Sequence, residues 1–209
     1  MILPKELKEA ITHLSSTEKD KLIFRLLKKD LALANRLLFE LVSTETVEEK
    51  RKKLEESLSF EIDRAVKHFY SPGYLSMDVR YMSGMITEHV QITKDKFGDP
   101  YLNLHLLNGL IPKLNKTLET YPPQKANKFY VPALARIFKI LMNISKFHED
   151  EQYEFTESLN QLGMCIGENP GFMKAAINNG LDVNWLIHAE IPKDIVAIHK
   201  NIREMGFLR

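Results

Sequence analysis

The stretch that decides the fold runs from Tyr130 to Phe147 and reads YVPALARIFKILMNISKF. On a helical wheel, Val131, Leu134, Ala135, Ile137, Phe138, Ile140, Leu141, Met142 and Ile144 cover most of the circumference. Arg136, Lys139, Asn143 and Lys146 share one narrow stripe. A helix with so little wet face must be wrapped by other helices. The polar positions recur at intervals of three, four and three, so their stripe meets water or lines an internal groove. Pro132 suits the first turn, where a missing N–H costs little.

Upstream of this stretch the same period repeats. Leu7, Ile11 and Leu14 mark a first short helix, and Ser15 with Glu18 forms a capping box for a second that carries Leu22, Ile23, Leu26 and Leu27. Asp30 caps a third, which carries Leu31, Ala34, Leu37, Leu38 and Leu41. A longer helix follows from Thr44 to about Phe69. Its first half, Glu48 to Glu56, mixes charges at helical spacing and reads as an ion-paired, solvated face. After the break at Ser71-Pro72-Gly73, a helix with Leu75, Val79, Met82, Met85, Ile86, His89 and Val90 inward ends near Phe97-Gly98. The leucine-rich segment from Asp99 to Leu118 contains Gly109 and Pro112, which predict a kink or two short helices.

Downstream, His148-Glu149-Asp150-Glu151 caps one helix that reaches Gly167, and Asn169-Pro170-Gly171 opens a short one. A segment around Trp185 leads to a last helix whose Ile191, Ile195, Ile198, Ile202 and Met205 form a narrow seam. That seam packs on the body or pairs with a second copy as a homodimer contact. Asn169-Pro170-Gly171-Phe172-Met173-Lys174-Ala175-Ala176-Ile177-Asn178-Asn179-Gly180-Leu181 resembles an armadillo helix pair breaking at an Asn-Gly. No segment alternates long enough for a strand. The expectation is therefore an all-α single domain over residues 1–209, of about nine antiparallel helices, arranged as a bundle or an irregular armadillo/HEAT-like superhelix.

With 209 residues and 44% hydrophobic content the chain can bury an ample core without staples. One cysteine, Cys165, excludes an internal disulfide, and no two histidines stand three or four apart as a paired metal face would need. No Glu-x-x-His, no Gly-x-Ser-x-Gly and no glycine-rich phosphate loop is present, so no catalytic, metal or cofactor residue is assigned. Proline and charges near the start, and no long apolar run, point to a cytoplasmic chain without a membrane span. Net charge is +1, yet residues 91–147 hold nine Lys or Arg against three acids. Eight of the nine are lysines, which lack the bidentate fork of arginine, so nucleic-acid binding, necessarily nonspecific, is the weakest reading.

These observations favour a non-enzymatic interaction module, a scaffold or adaptor, in which Arg136, Lys139, Asn143 and Lys146 line a basic groove for an acidic protein segment or other anionic ligand. The alternative is a small-molecule or enzymatic site near His68, Tyr70, Tyr74 and Arg80, beside the Ser71-Pro72-Gly73 turn.

Overall fold

The computed structural model describes residues 3–208, among which there are twelve α-helices and no strand. In chain order they are α1 (Lys5–His13), α2 (Ser16–Leu27), α3 (Leu31–Leu41), α4 (Val47–Lys67), α5 (Pro72–Thr93) and α6 (Gly98–Glu119). Then follow α7 (Pro123–Ile144), α8 (Glu149–Tyr153), α9 (Thr156–Gly167), α10 (Pro170–Asn178), α11 (Asn184–Ile187) and α12 (Ile195–Glu204). The all-α expectation holds. The count exceeds nine because the segment 148–167 divides into α8 and α9, and because the Trp185 segment makes its own short turn, α11. The division brings Phe155 fully into the core, against Phe97 at 4.8 Å, while Tyr153 stays exposed. Residues through Glu45, together with Gln91–Thr93, cluster as one unit, and Thr46–Val90 with Lys94–Arg209 as a second.

In the first unit the expected capping box of Ser15 and Glu18 forms, and Asp30 caps α3 by accepting from the Leu33 N–H. The apolar stripes of these helices are not buried: no residue of α1, α2 or α3 is buried. Three helices of this length have too little surface among themselves to enclose a core.

In the second unit α6 is the hub. Twelve of its residues are buried, and it packs against α4, α7, α9 and α10. Side-chain bonds give the directions. Tyr101 Oη donates to Glu55 and Lys113 to Asp63, so α4 runs parallel to α6. Asn108 reaches the Ser158 carbonyl and Asn115 that of Cys165, so α9 is parallel as well. Asp99 meets Asn143 while Asn103 meets Arg136, so α7 is antiparallel.

Gly109 and Pro112 do not split α6. A Cβ at Gly109 would stand 2.9 Å from Ile62 Cδ1, so this glycine lets α4 and α6 approach closely rather than acting as a breaker. Pro112 faces solvent between the buried Ile111 and Leu114, and their burial outweighs the roughly 3 kcal/mol a proline costs inside a helix. Pro132 likewise lies mid-helix on an exposed position, not in the first turn, because Pro122 and Pro123 supply the real start of α7. Phe138 and Leu141 are completely buried, as the wheel requires.

A buried polar knot ties three helices together. Asn169 caps α10 through its Oδ1, which accepts from the Phe172 N–H at 2.9 Å, and its Nδ2 donates to the Asn115 carbonyl and side chain. Tyr130 closes the knot from α7 by a hydroxyl contact to Asn169 and by stacking on Phe172 at 4.4 Å. At the far end of α10, Gly180 takes the left-handed conformation (φ 75) after the Asn179 C-cap, as the Asn-Gly pattern predicts. The seam of α12 is spent within the chain: Ile195 and Ile202 are buried, Ile191 and Ile198 pack on the core, and only Met205 of the five is exposed.

Asn169→Ala removes a helix cap and strands the Asn115 and Tyr130 polar groups in the core, so it should lower the unfolding free energy by about 2–4 kcal/mol. Urea denaturation of the full chain measures this, and a change under about 0.5 kcal/mol would show that the knot is not a stabilising element.

Candidate functional site

The four stripe residues, three on α7 and Lys146 just past its end, do come together, but their partner is the first turn of α6. Asn143 Nδ2 donates to Asp99 Oδ2 at 3.0 Å, and Asn103 Nδ2 donates to Asp99 Oδ1 at 2.8 Å. Arg136 Nη1 in turn donates to Asn103 Oδ1 at 2.8 Å, and Lys146 Nζ to Asn143 Oδ1 at 3.0 Å. Lys139 Nζ stands 3.7 Å from Asp99 Oδ2 with half its side chain exposed. The stripe is therefore a polar seam between α6 and α7, open to solvent at Lys139 and Lys146. Arg136 sits at its covered end: burial pushes its guanidinium down from the ordinary value against the opposing charge of Asp99, and its Nε has no hydrogen-bond partner.

Asp99 and Asn103, spaced i and i+4 on one face of α6, are the members that pattern reading did not assign. Asp99 reads locally as a helix-start residue, and nothing in its neighbourhood signals a partner more than thirty residues away.

Where the seam opens, it borders a cleft of about 570 Å³ within the second unit. Phe97, Phe147 and Val90 give it an apolar floor, and Lys96, Lys146 and Glu151 stand on its rim. The acids of the cleft are already engaged. Asp99 accepts from both asparagines, and Glu151 Oε2 accepts from the His148 N–H as the closing member of the α8 capping box. Lys96 is exposed and carries its charge to the rim.

The floor is held in place by a buried ion pair. Helix α5 ends at Thr93 rather than near Phe97, because Lys94 turns left-handed (φ 59) and starts the loop that leads to α6. Within that loop Asp95, whose side chain is 2% exposed, accepts from Arg51 Nε at 2.6 Å and from Arg51 Nη2 at 2.8 Å. It also meets His89 Nε2 at 3.1 Å and accepts from the Gly98 N–H at 2.8 Å. Burial alone would raise the Asp95 carboxyl, but the His89, Arg51 and Gly98 hydrogen bonds and the arginine charge overcome it and hold the group at about 2. Arg51 also lies over the Phe97 ring, 5.1 Å from its centroid, and thereby clamps the cleft floor. The charged first half of α4 is thus more than a solvated face: Arg51 is spent on Asp95, and Glu55 on Tyr101 and His105.

The other candidates are placed as follows. His68, Tyr70, Tyr74 and Arg80 are all exposed, spread over the end of α4 and the first turns of α5, with an edge-to-face contact between Tyr70 and Tyr74 at 5.0 Å. Met77 beside them is exposed as well, while Met82 fills the core. His148 serves as the α8 N-cap. The Cys165 thiol is pushed up by burial. Among the described residues no three His, Cys, Asp or Glu side chains are grouped to hold a metal ion, and no helix is long and apolar enough to cross a membrane. Comparisons with family models, curated proteins and solved structures returned no match.

Because the carboxyl of Asp95 is depressed on folding, its contribution of about 2 kcal/mol is complete above the ordinary carboxylate value and is lost as pH falls toward 2. Asp95→Asn should therefore be markedly less stable than the parent at neutral pH, with the gap closing between about pH 4 and pH 2; a pH-independent gap in denaturation free energies would refute the ion-pair assignment. Lys139→Ala, by contrast, removes an exposed partner and should change stability by under about 0.5 kcal/mol in the same assay.

Proposed function

We propose that this chain is a non-enzymatic helical interaction module that takes an acidic peptide segment along the open end of the α6–α7 seam. The observation that carries the reading is the pairing of an aromatic floor, Phe97 and Phe147, with a lysine rim whose neighbouring acids are turned inward to asparagine side chains and a helix cap. Such a surface suits an apolar anchor side chain flanked by carboxylates: the anchor gains by leaving water, and the flanking charges meet Lys96, Lys139 and Lys146. Of the four stripe residues, Lys139 and Lys146 make the contact, Asn143 positions Lys146, and Arg136 positions Asn103. An armadillo-like stacking of helix pairs belongs to the same proposal, supported by the Asn179-Gly180 helix end and by the parallel packing of α4 and α9 on α6 beside the antiparallel α7. The charge distribution argues against nucleic acid as the occupant, since within the basic middle Lys113 is paired with Asp63 and Arg136 is held in the seam.

A peptide-display selection against the full chain tests this. Enriched peptides should carry Asp or Glu around an aromatic or leucine anchor, and the double reversal Lys139→Glu with Lys146→Glu should weaken their binding by about tenfold or more, with the helical spectrum unchanged. If the enriched peptides lack acids, or bind the reversed variant as well as the parent, the assignment of this cleft is wrong.

A further inference from the structure

We infer that the acidic segment taken by the Phe97–Phe147 cleft is α8 of a second copy of this chain, two copies each laying α8 on the other's cleft about a two-fold axis. The inference rests on the peptide-binding reading of that cleft and names its occupant. Residues 148–157 read HEDEQYEFTE, five carboxylates with no lysine or arginine among them. Tyr153 at their centre is 77% exposed. It shares one face with Glu154 and Glu157, where the three line a shallow hollow with Asn160 and Ile187. Glu151 is engaged in the α8 capping box, and Asp150 stands 3.3 Å from His148 Nδ1. Glu149, Glu154 and Glu157 make no ion pair or side-chain hydrogen bond among the described residues, so their charge is left for a partner. An aromatic anchor flanked by such carboxylates complements the aromatic floor and the rim of Lys96, Lys139 and Lys146.

The segment is held away from the cleft of its own copy. Phe147 and Phe155, on either side of α8, stack at 6.0 Å against the core and fix the helix with Tyr153 turned to water. Phe60, the exposed aromatic of α4, also has acids beside it, but Glu61 is paired with Arg64 and Asp63 with Lys113. Placement lets both contacts form at once. Glu151 stands on the cleft rim two residues from Tyr153, so anchor and cleft are neighbours within the second unit. A two-fold axis between them carries each anchor to the other copy's cleft, which is the reciprocity an isologous contact requires. Attraction between exposed charges of opposite sign also makes the pairing sensitive to salt.

Sedimentation of the full chain over a range of concentrations should show a reversible dimer, weakened by about tenfold or more between about 50 and about 500 mM salt. Tyr153→Ala should raise the dissociation constant by about a hundredfold or more, because each dimer loses the anchor twice. Charge exchange identifies the two surfaces. Glu154→Lys with Glu157→Lys should leave the chain monomeric, as should Lys139→Glu with Lys146→Glu. Mixed together, the two variants should pair, since both contacts of the mixed dimer regain opposite charges. A chain that stays monomeric at every concentration overturns the inference, as does a dimer that Tyr153→Ala and the reversals leave intact, or reversed variants that fail to pair on mixing. If display-selected acidic peptides still bind the cleft of a monomeric chain, only α8 as the occupant is overturned; if they fail as well, the reading of the cleft falls with it.

Discussion

Helix α6 is enclosed along its N-terminal half and meets water only on one face of its C-terminal half, and the rest of the second unit follows from that constraint. With twelve buried residues, among them Leu102, Leu106, Leu107, Leu110 and Ile111, it could not persist as a surface element. Helices α4, α7 and α9 each give it a side, and the polar groups that burial brings along are answered in place. Asn103 and Asn115 of α6 are bonded to α7, α9 and the cap of α10. Hydrophobic burial supplies the drive, and these bonds select which neighbour lies where.

The two ends of α6 differ in character. Its C-terminal half meets the closed knot of Asn115, Asn169 and Tyr130, sealed by the Tyr130–Phe172 stack. The N-terminal end is held by Asp95, whose carboxylate accepts from Arg51, His89 and the Gly98 N–H, and it opens onto the Phe97–Phe147 cleft. Rigidity beneath an open surface is what a binding site requires, because the floor need not be ordered when a partner arrives.

How much of this was legible in the sequence depends on whether the signal is local. The enclosure of α7 was legible because apolar density around a wheel reports burial directly, and Phe138 and Leu141 obey it. The caps at Ser15, Asp30 and Asn169 were legible because a side-chain oxygen and the N–H that donates to it lie three residues apart. Gly109 and Pro112 misled because local propensity treats both as interruptions, while tertiary contact turns one into a close approach and leaves the other harmless on a wet face. The stripe of Arg136, Lys139, Asn143 and Lys146 was visible as a stripe, but its acceptors Asp99 and Asn103 lie on another helix and leave no mark at that distance. For α1 to α3, the amphipathic pattern is the same whether a face is covered within the chain or left for a partner, so burial could not be read from it.

The bonds that fasten α4 and α9 to α6 span nearly constant intervals along the chain: 46 residues from Glu55 to Tyr101, and 50 from Asn115 to Cys165. Each such contact closes a large loop, and the entropy of closure is met only when the whole neighbour docks. No lone pair of these helices therefore makes a self-sufficient folding nucleus. The middle of the chain acts as a template on which the earlier helix and the later one assemble, and trimming the second unit from either side should expose the template rather than leave a smaller stable protein.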